Sequence, residues 1–247
     1  MSRIEFMGSP MDNLSMQESV NIIETNVANG AFLQHVVVNV AKLVHMQDDS
    51  ELAESVKACD MINIDGMGVV LGARFCGHNV PERVAGVDLF HQLLAMSARR
   101  EFPVFLLGAS QEVVTKTAET VKRLYPELCL AGFHHGYFFD EKGDNEQAVV
   151  EQIKTSGAKL LFVAITSPRK ENFINRWQDQ LGVNFVMGVG GTFDVVAGKV
   201  KRAPKWMQQY GLEWFYRIVQ EPRRMWKRYL ITNSQFLFLL LKEKFKR

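Results

Sequence analysis

One aspartate stands where a carboxylate can do acid–base chemistry. Asp65 directly follows the apolar segment Met61–Ile64 and directly precedes Gly66, which is the expected position of a side chain at the tip of a strand. Ligands of open α/β sheets bind beyond the carboxyl ends of the strands, so Asp65 can face a cleft and act there as a general base. An aspartate that only forms a turn or caps a helix would have the same placement, and spacing alone leaves both interpretations open.

Two further segments carry groups that suit a phosphate or a sugar. The glycines of Gly188–Thr192 let the backbone approach a ligand closely, so that its amide N–H groups can bind a phosphate. Arg83 and Asp88 place a cation and an anion on either side of Gly86, ahead of a predicted helix. A tight turn without a ligand would use the same glycines, and an internal salt bridge that caps the helix would use the same charges.

The sequence argues against several common sites. The dinucleotide fingerprint needs a third glycine where Leu71 and Phe193 stand, and the sequence contains no P-loop. His134 and His135 are adjacent and lack a third ligand at a suitable spacing, which argues against a zinc site. We therefore expect neither a bound metal nor a resident cofactor.

Alternating strands and helices must position these residues. Stretches such as Gln111–Leu124 and Glu146–Thr155 are predicted helices. Short apolar segments rich in β-branched residues, each followed by a turn, predict buried strands over residues 31–40, 61–64, 103–107, 128–133, 159–165 and 184–187. The repeated order of strand, turn and helix predicts an α/β fold, a compact Rossmann-like domain with a mostly parallel sheet.

Charge divides the chain unevenly. The 247 residues carry a net charge of +2, but residues 199–247 hold 13 Lys and Arg against 3 Asp and Glu, whereas residues 1–198 hold 16 against 24. We therefore expect an α/β core over residues 1–198 and a basic, aromatic, helical C-terminal appendage over residues 199–247. A hydrophobic fraction of 47% allows a sizeable core and excludes intrinsic disorder.

The cysteines and the apolar runs indicate a compartment. Three cysteines without a CxxC pair are typical of a reducing environment. The N-terminal residues lack the apolar run of a secretory signal. The uncharged run Tyr229–Leu241, 13 residues long, is too short to span a bilayer. We expect a cytoplasmic protein.

The appendage suits a membrane surface better than nucleic acid. Cations and aromatic rings in one segment are typical of nucleic-acid binding, but the apolar run Phe236–Leu241 argues against that partner. A helix that lies on a membrane uses Lys and Arg for anionic headgroups, Trp and Tyr for the interface, and Leu and Phe for the acyl boundary. The alternative is that Phe236–Leu241 belongs to a core and the charges form a solvated rim.

A set of motifs occurs along the chain in a characteristic order. They are residues 6–19, Asn39, Asp65–Gly68, Arg83–Asp88, Thr166–Glu171, Gly188–Gly198, Arg202–Pro204, Gly211–Trp214 and Glu221–Arg224. Together they resemble the WecG/TagA/CpsF family of glycosyltransferases, and the resemblance covers essentially the whole chain.

The resemblance implies an inverting, metal-independent hexosyltransferase on the inner face of the cell membrane. Such an enzyme moves N-acetylmannosamine, its uronic acid or glucose from a UDP-sugar to a polyprenyl-diphosphate-linked acceptor, in the synthesis of a bacterial surface polysaccharide. It implies that Asp65 is the general base and that Asn39 and Arg83 are further catalytic residues. The remaining residues that we expect to bind substrate are Gly66, Asp88, Lys170, Glu171, Gly188, Gly190, Gly191, Thr192, Asp194, Arg217, Arg223 and Arg224.

Two positions depart from the family's usual pattern. Val37 stands where members often carry threonine, and Lys170 stands where they often carry glutamine. Both changes remove a neutral hydrogen-bonding group, and the second adds a charge, so they can mark a different donor or acceptor sugar. The family's appendage is implied to bring arginine over the active site, and spacing does not rank the candidate arginines.

The residues by themselves leave two other functions open. One is a nicotinamide-dependent oxidoreductase on a related α/β fold, against which the missing dinucleotide fingerprint argues. The other is a nonenzymatic, membrane-associated assembly protein. Association of several copies of the chain is a further open alternative.

Overall fold

The computed structural model describes residues 2–139 and 144–245, apart from the side chains of Asp144 and Arg224. Its strands are β1 (Arg3–Phe6), β2 (Ser9–Asp12), β3 (Leu33–Val38), β4 (Met61–Ile64), β5 (Val104–Gly108), β6 (Leu130–His134), β7 (Leu160–Ala164) and β8 (Phe185–Gly188). Its helices are α1 (Met16–Ala28), α2 (Val40–Asp48), α3 (Ser50–Lys57), α4 (Met67–Phe75), α5 (Gly86–Arg100), α6 (Gln111–Leu124), α7 (Asp144–Thr155), α8 (Arg169–Trp177), α9 (Thr192–Val196), α10 (Lys205–Gln209), α11 (Glu213–Gln220) and α12 (Pro222–Phe245).

Six of the strands form one sheet, in the order β4-β3-β8-β7-β5-β6. The pairs β3–β8, β8–β7, β7–β5 and β5–β6 are parallel. Every residue of β5, β7 and β8 is buried. This explains their continuous apolar sequences, because a strand covered on both faces has no solvent side. The predicted α/β fold with a mostly parallel sheet is confirmed.

The strand predicted over residues 31–40 is too long. The apolar segment 31–40 predicts a strand through Val40, but β3 ends at Val38 and α2 begins at Val40. Asn39 is the N-cap of α2, and its side chain accepts a hydrogen bond from the Lys42 amide at 3.0 Å. A capping asparagine starts a helix at this point, and it overrides the β-branched residue that follows.

The antiparallel hairpin of β1 and β2 is absent from the sequence-based prediction. Its strands are four residues long, and its turn places Met7 at φ 52° and Gly8 at φ 73°. The buried Asp12 carboxylate accepts hydrogen bonds from Arg3 at 2.8 Å and from the Ile62 amide at 2.7 Å. The hairpin is therefore anchored to β4 through one buried carboxylate.

The chain divides into two compact units. Unit 1 consists of Met1–Met16, Val37–Ala85 and Lys201–Arg247, and unit 2 consists of Gln17–Val36 and Gly86–Val200. Unit 1 is thus built from three separate stretches of sequence. The division at residue 198 that we expect from composition rests on charge, whereas these units rest on packing, and that division stays a prediction.

Unit 2 covers its strands with helices on both faces. On one face, Leu161 and Val163 of β7 belong to a buried cluster that includes Phe173 of α8. On the other face, Phe162 meets Phe90 of α5 edge-on, with ring centroids 4.8 Å apart. Successive residues of a strand point to opposite faces of a sheet, so this alternation requires apolar cover on both sides.

In unit 1, α12 packs along α2, and two of its side chains also reach α4. A Cβ atom added at Gly72 of α4 would lie 3.0 Å from Phe236 Cζ and 3.3 Å from Leu240 Cδ1 of α12. The missing side chain at Gly72 therefore makes room for these two side chains of α12 against α4. Leu240 is half-buried and Phe236 is buried, so this contact contributes to the core of unit 1.

Candidate functional site

Three segments of unit 1 meet at the carboxyl end of β4. The Asp65 amide donates to the Val38 carbonyl at 2.8 Å, and the Val84 amide donates to the Ile64 carbonyl at 2.9 Å. These two bonds bring the residues that follow β3, the residues that follow β4 and the Arg83 segment to one edge. The structure thus gathers Asn39, Asp65 and Arg83 in unit 1, as expected of strand-end residues.

The turn after Asp65 depends on a glycine. Gly66 adopts φ 102°, a backbone conformation that favours glycine, and a Cβ atom there would lie 3.7 Å from the Cβ of Asn39. Gly66 is the N-cap residue of α4, so Asp65 precedes the capping position. The half-buried Asp65 side chain therefore lies at the tip of β4, beside Asn39.

Asn39 has a structural function that accounts for one of its polar atoms. Its Oδ1 accepts the Lys42 amide and starts α2. Its side chain carries a second polar group, the amide nitrogen, which is a hydrogen-bond donor. Catalysis by Asn39 stays a prediction.

Arg83 forms an ion pair with Glu213 of α11. The Arg83 side chain is only 10% exposed, and the second carboxylate oxygen of Glu213 lies 3.7 Å from Nε of Arg202. One carboxylate therefore joins two guanidinium groups. Neither Glu213 nor Arg202 is among the site residues that the sequence predicts, although both lie within the quoted motifs.

The candidate arginines of the appendage differ in position. Arg217 follows Glu213 by four residues on α11, so both side chains project from the same face of that helix. Arg217 is half-buried and Arg223, at the start of α12, is exposed. The Arg224 side chain lies outside the described residues. Among these, Arg217 shares the helix face that reaches Arg83 through Glu213.

Unit 2 contains a buried ion pair beside its glycine-rich turn. Lys170 Nζ lies 3.2 Å from Glu171 Oε1, and the Ser167 hydroxyl donates to the same oxygen at 2.8 Å. Both charged side chains are at least nine-tenths buried. A Cβ atom at Gly188 would lie 2.4 Å from Lys170 Cε, so the glycine makes room for the lysine. Ser167 belongs to this group, although it is not among the site residues predicted from the sequence.

The other predicted residues of this turn have local functions. The Thr192 hydroxyl donates to the Val189 carbonyl at 2.8 Å, and the Thr192 amide donates to the same oxygen. Gly190 adopts φ 53° and is exposed, as is Gly191. Thr192 therefore closes the turn, whereas the two glycines lie at its surface.

Two predicted carboxylates of unit 2 lie on helices near their first turns. Asp194 of α9 has an oxygen 3.9 Å from Lys199 Nζ, an ion pair at the surface. Asp88 lies in the first turn of α5 and is half-buried. A carboxylate in this position stabilises a helix through its dipole, which is the structural alternative to substrate binding for both residues.

The adjacent histidines lie at the end of β6 in unit 2. Their ring centroids are 4.4 Å apart, and His135 Nδ1 accepts the Tyr137 amide at 3.1 Å. Burial, and then the charge of His134, lowers the pKa of His135. Over the described residues, no three His, Cys, Asp or Glu side chains are grouped so that they could hold a metal ion.

The appendage presents many large apolar side chains to solvent. Phe236 is buried, but Leu237, Phe238 and Leu241 are exposed, so the apolar run is not simply a core segment. Exposed aromatic residues of α10, of its C-cap and of α11 and α12 accompany them: Trp206, Tyr210, Trp214, Phe215, Trp226 and Phe245. In the part of the chain that the structure describes, no helix combines the length and the apolarity needed to cross a bilayer.

Known proteins resemble this chain along nearly its full length. Residues 4–247 match the glycosyl transferase WecG/TagA/CpsF family. An N-acetylglucosaminyldiphosphoundecaprenol N-acetyl-beta-D-mannosaminyltransferase from Bacillus subtilis (strain 168) is 34% identical over 199 residues, 81% of this chain and 75% of the relative. A protein of the same name from Bacillus spizizenii (strain ATCC 23059 / NRRL B-14472 / W23) is 31% identical over 241 residues, 98% of this chain and 90% of the relative. The chain belongs to the WecG/TagA/CpsF family of glycosyltransferases.

Proposed function

We propose that this enzyme transfers a sugar from a UDP-sugar to a polyprenyl-diphosphate-linked acceptor, in the synthesis of a bacterial surface polysaccharide. The main support for the proposal is the cluster of polar residues at the carboxyl end of β4, where Asp65 lies next to the Arg83 segment. The names of the two relatives support N-acetylmannosamine as the first donor sugar to test, and N-acetylglucosaminyl-diphosphoundecaprenol as the first acceptor.

Asp65 acts as the general base in this proposal. It accepts the proton of the acceptor hydroxyl while that oxygen attacks the anomeric carbon from the face opposite UDP. The glycosidic bond forms as the bond from the anomeric carbon to the UDP oxygen breaks, so the configuration inverts. UDP leaves with the electron pair, and the proton on Asp65 passes to solvent.

The departing diphosphate needs a partner for its growing negative charge. In unit 1, Arg83 and Arg202 supply two guanidinium groups around Glu213, and such groups bind phosphate with charge-assisted hydrogen bonds. Preformed donors of this kind stabilise a leaving group directly, and we propose that the reaction needs no metal ion.

A membrane surface is the place where a polyprenyl-linked acceptor is found. The exposed Trp, Phe and Leu side chains of α10 to α12 lie in a segment with 13 Lys and Arg against 3 Asp and Glu. This combination favours binding to anionic lipid. We propose a peripheral membrane enzyme whose appendage brings the acceptor to Asp65 within unit 1.

Replacement of Asp65 by asparagine tests the proposal, because it removes the base and keeps the shape of the side chain. The matched control is Asp179→Asn, a change at an exposed aspartate after α8. The full chain is incubated with UDP-N-acetylmannosamine, its uronic acid or UDP-glucose and a synthetic lipid-diphosphate acceptor, and the product is identified by its mass. We expect Asp65→Asn to lower turnover by about 10²-fold or more, with an unchanged unfolding midpoint.

Two outcomes would contradict parts of the proposal. Turnover of Asp65→Asn close to that of Asp179→Asn would remove Asp65 from its role as base. Strong inhibition by EDTA that Mg²⁺ reverses would reject the metal-free reaction, while it would leave the transfer itself intact.

A further inference from the structure

Helix α4, which begins two residues after the proposed base, exposes two large apolar side chains. Leu71 is 56% exposed and Phe75 is 52% exposed. They are four residues apart, so they project from the same face of α4. Neither belongs to the basic appendage, and the proposed reaction uses neither of them.

The exposed face of α4 adjoins an exposed apolar stripe of α12 in unit 1. Gly72, next to Leu71, is the point at which α12 packs against α4. Near the ends of both helices, Lys244 Nζ donates to the Phe75 carbonyl at 2.8 Å and lies 5.0 Å from the centre of the Phe75 ring. The two helices are therefore joined at two places, with their exposed apolar side chains beside the contact.

The stripe on α12 has the spacing of one helix face. Leu230, Leu237, Leu241 and Phe245 are exposed and are separated by seven, four and four residues. With Leu71 and Phe75 they form a surface that we call the two-helix ridge. Large exposed apolar surfaces with polar rims mark interaction sites in soluble proteins.

We propose that α4 of the enzyme's core enters the membrane interface together with α12, so that the two-helix ridge docks on an anionic bilayer. This inference rests on the proposed membrane-bound acceptor. Leucine and phenylalanine suit the acyl boundary, and exposed Lys242 and Lys244 at the end of α12 suit anionic headgroups.

Charge decides between a bilayer and a second copy of the chain. Around the ridge, α12 carries the exposed cations Lys227, Arg228, Lys242 and Lys244. Two copies that met through this surface would bring like charges together, which disfavours the pairing. An anionic bilayer complements the same charges.

The docking of α4 has a consequence for the acceptor. Met67, the first residue of α4, follows Asp65 by two positions, so a bilayer that holds α4 also limits the distance of Asp65 from the headgroups. The diphosphate-linked sugar of a polyprenyl acceptor lies at the level of the lipid headgroups. The core of the enzyme, and not only its appendage, then determines how the base meets the acceptor.

Single charged substitutions on α4 test the inference. In the full chain we would compare Leu71→Glu and Phe75→Glu with the control Leu124→Glu, because Leu124 of α6 is a leucine with nearly the same exposure, 53%. Sedimentation with vesicles of equal parts phosphatidylglycerol and phosphatidylcholine measures binding. We expect each α4 variant to bind about tenfold or more weakly, since a buried leucine or phenylalanine contributes at least that factor, and the control to bind like the parent.

Activity gives a second measurement. The α4 variants should lose transfer to acceptor in vesicles and keep transfer to a short-chain, water-soluble acceptor, with unchanged circular dichroism. Leu71→Gln repeats the test without a new charge and should weaken binding in the same direction.

Three results would overturn the inference, and they are distinguishable. If Leu237→Glu releases the protein from vesicles but the α4 variants do not, the appendage binds membrane alone and the proposed function stands. If the parent chain does not bind vesicles, the membrane part of the proposed function fails as well. If the α4 variants change only the sedimentation-equilibrium mass of the protein, the ridge joins two copies.

Discussion

The contact between Gly188 and Lys170 makes the stability of unit 2 depend on a single missing methyl group. A Cβ atom at position 188 would lie 2.4 Å from Lys170 Cε and 2.6 Å from Cδ, both below any real contact distance. The lysine would have to move, and its ammonium group would leave Glu171 Oε1, now 3.2 Å away. Gly188→Ala therefore separates a buried ion pair without touching either charge.

The expected cost combines two effects. Overpacking a tight site costs about 1–3 kcal/mol, and complete loss of one partner from a buried pair costs about 3–5 kcal/mol. Lysine is flexible and Ser167 still donates to Glu171, so part of the second cost is avoided. We expect the free energy of unfolding to fall by about 2–4 kcal/mol. For a chain of this size that lowers the unfolding midpoint by roughly 5–15 °C.

A double-mutant cycle isolates the contact. The reference background is Lys170→Ala with Glu171→Gln, which removes both the side chain that the methyl group would meet and the negative charge from which the lysine would be displaced. In that background Gly188→Ala should be neutral or stabilise by about 0.5 kcal/mol, because alanine has less freedom to lose on folding. Differential scanning calorimetry measures all four proteins. An equal cost of Gly188→Ala in both backgrounds would refute the proposed contact.

Two further predictions concern Glu213 and His135. Glu213→Gln removes the charge that pairs with Arg83, so we expect kcat/KM for transfer to fall about tenfold, the equivalent of about 1.4 kcal/mol for a partly exposed pair. Glu213→Asp keeps the charge and should recover part of the lost activity. If activity falls only in proportion to a lower unfolding midpoint, Glu213 has a purely structural function. The pKa of His135 is lowered by burial and by His134, so its NMR titration should have a midpoint below 6.5. Because the unfolded chain binds this proton more readily, stability should decrease as pH falls from about 6.5 to the lowered pKa and then level off; His135→Gln should remove that step, and an unchanged pH profile would contradict it.

The buried strands are predictable from sequence because a strand that is buried on both faces is an unbroken run of apolar residues. Segment 61–64 matches β4 residue for residue, and α6 matches its predicted bounds. The hairpin of β1 and β2 contains no such apolar run, since its short strands contain polar residues and Pro10. Its position depends on Asp12, which bonds to Ile62 fifty residues away.

The same limit applies to the candidate site. Local pattern is enough to predict that Asp65 follows a buried strand, but a base and a turn or capping aspartate have the same placement, so the pattern alone does not give its function. The partner of Arg83 cannot be found in this way, because Glu213 lies 130 residues further along the chain. Lys170 and Gly188 stand out as residues of motifs, but only the folded backbone brings the lysine side chain against the glycine.

The three-part construction of unit 1 sets an order of events during synthesis. A ribosome delivers Asp65 and Arg83 early, then all of Gly86–Val200, and only afterwards the stretch with Glu213 and Phe236. Domains generally fold as units while the chain emerges, and until this last stretch appears Arg83 lacks its carboxylate and Gly72 lacks its cover. The apolar surface of α4 is therefore left open in the nascent chain. Unit 1 is therefore complete only when translation of that stretch is finished.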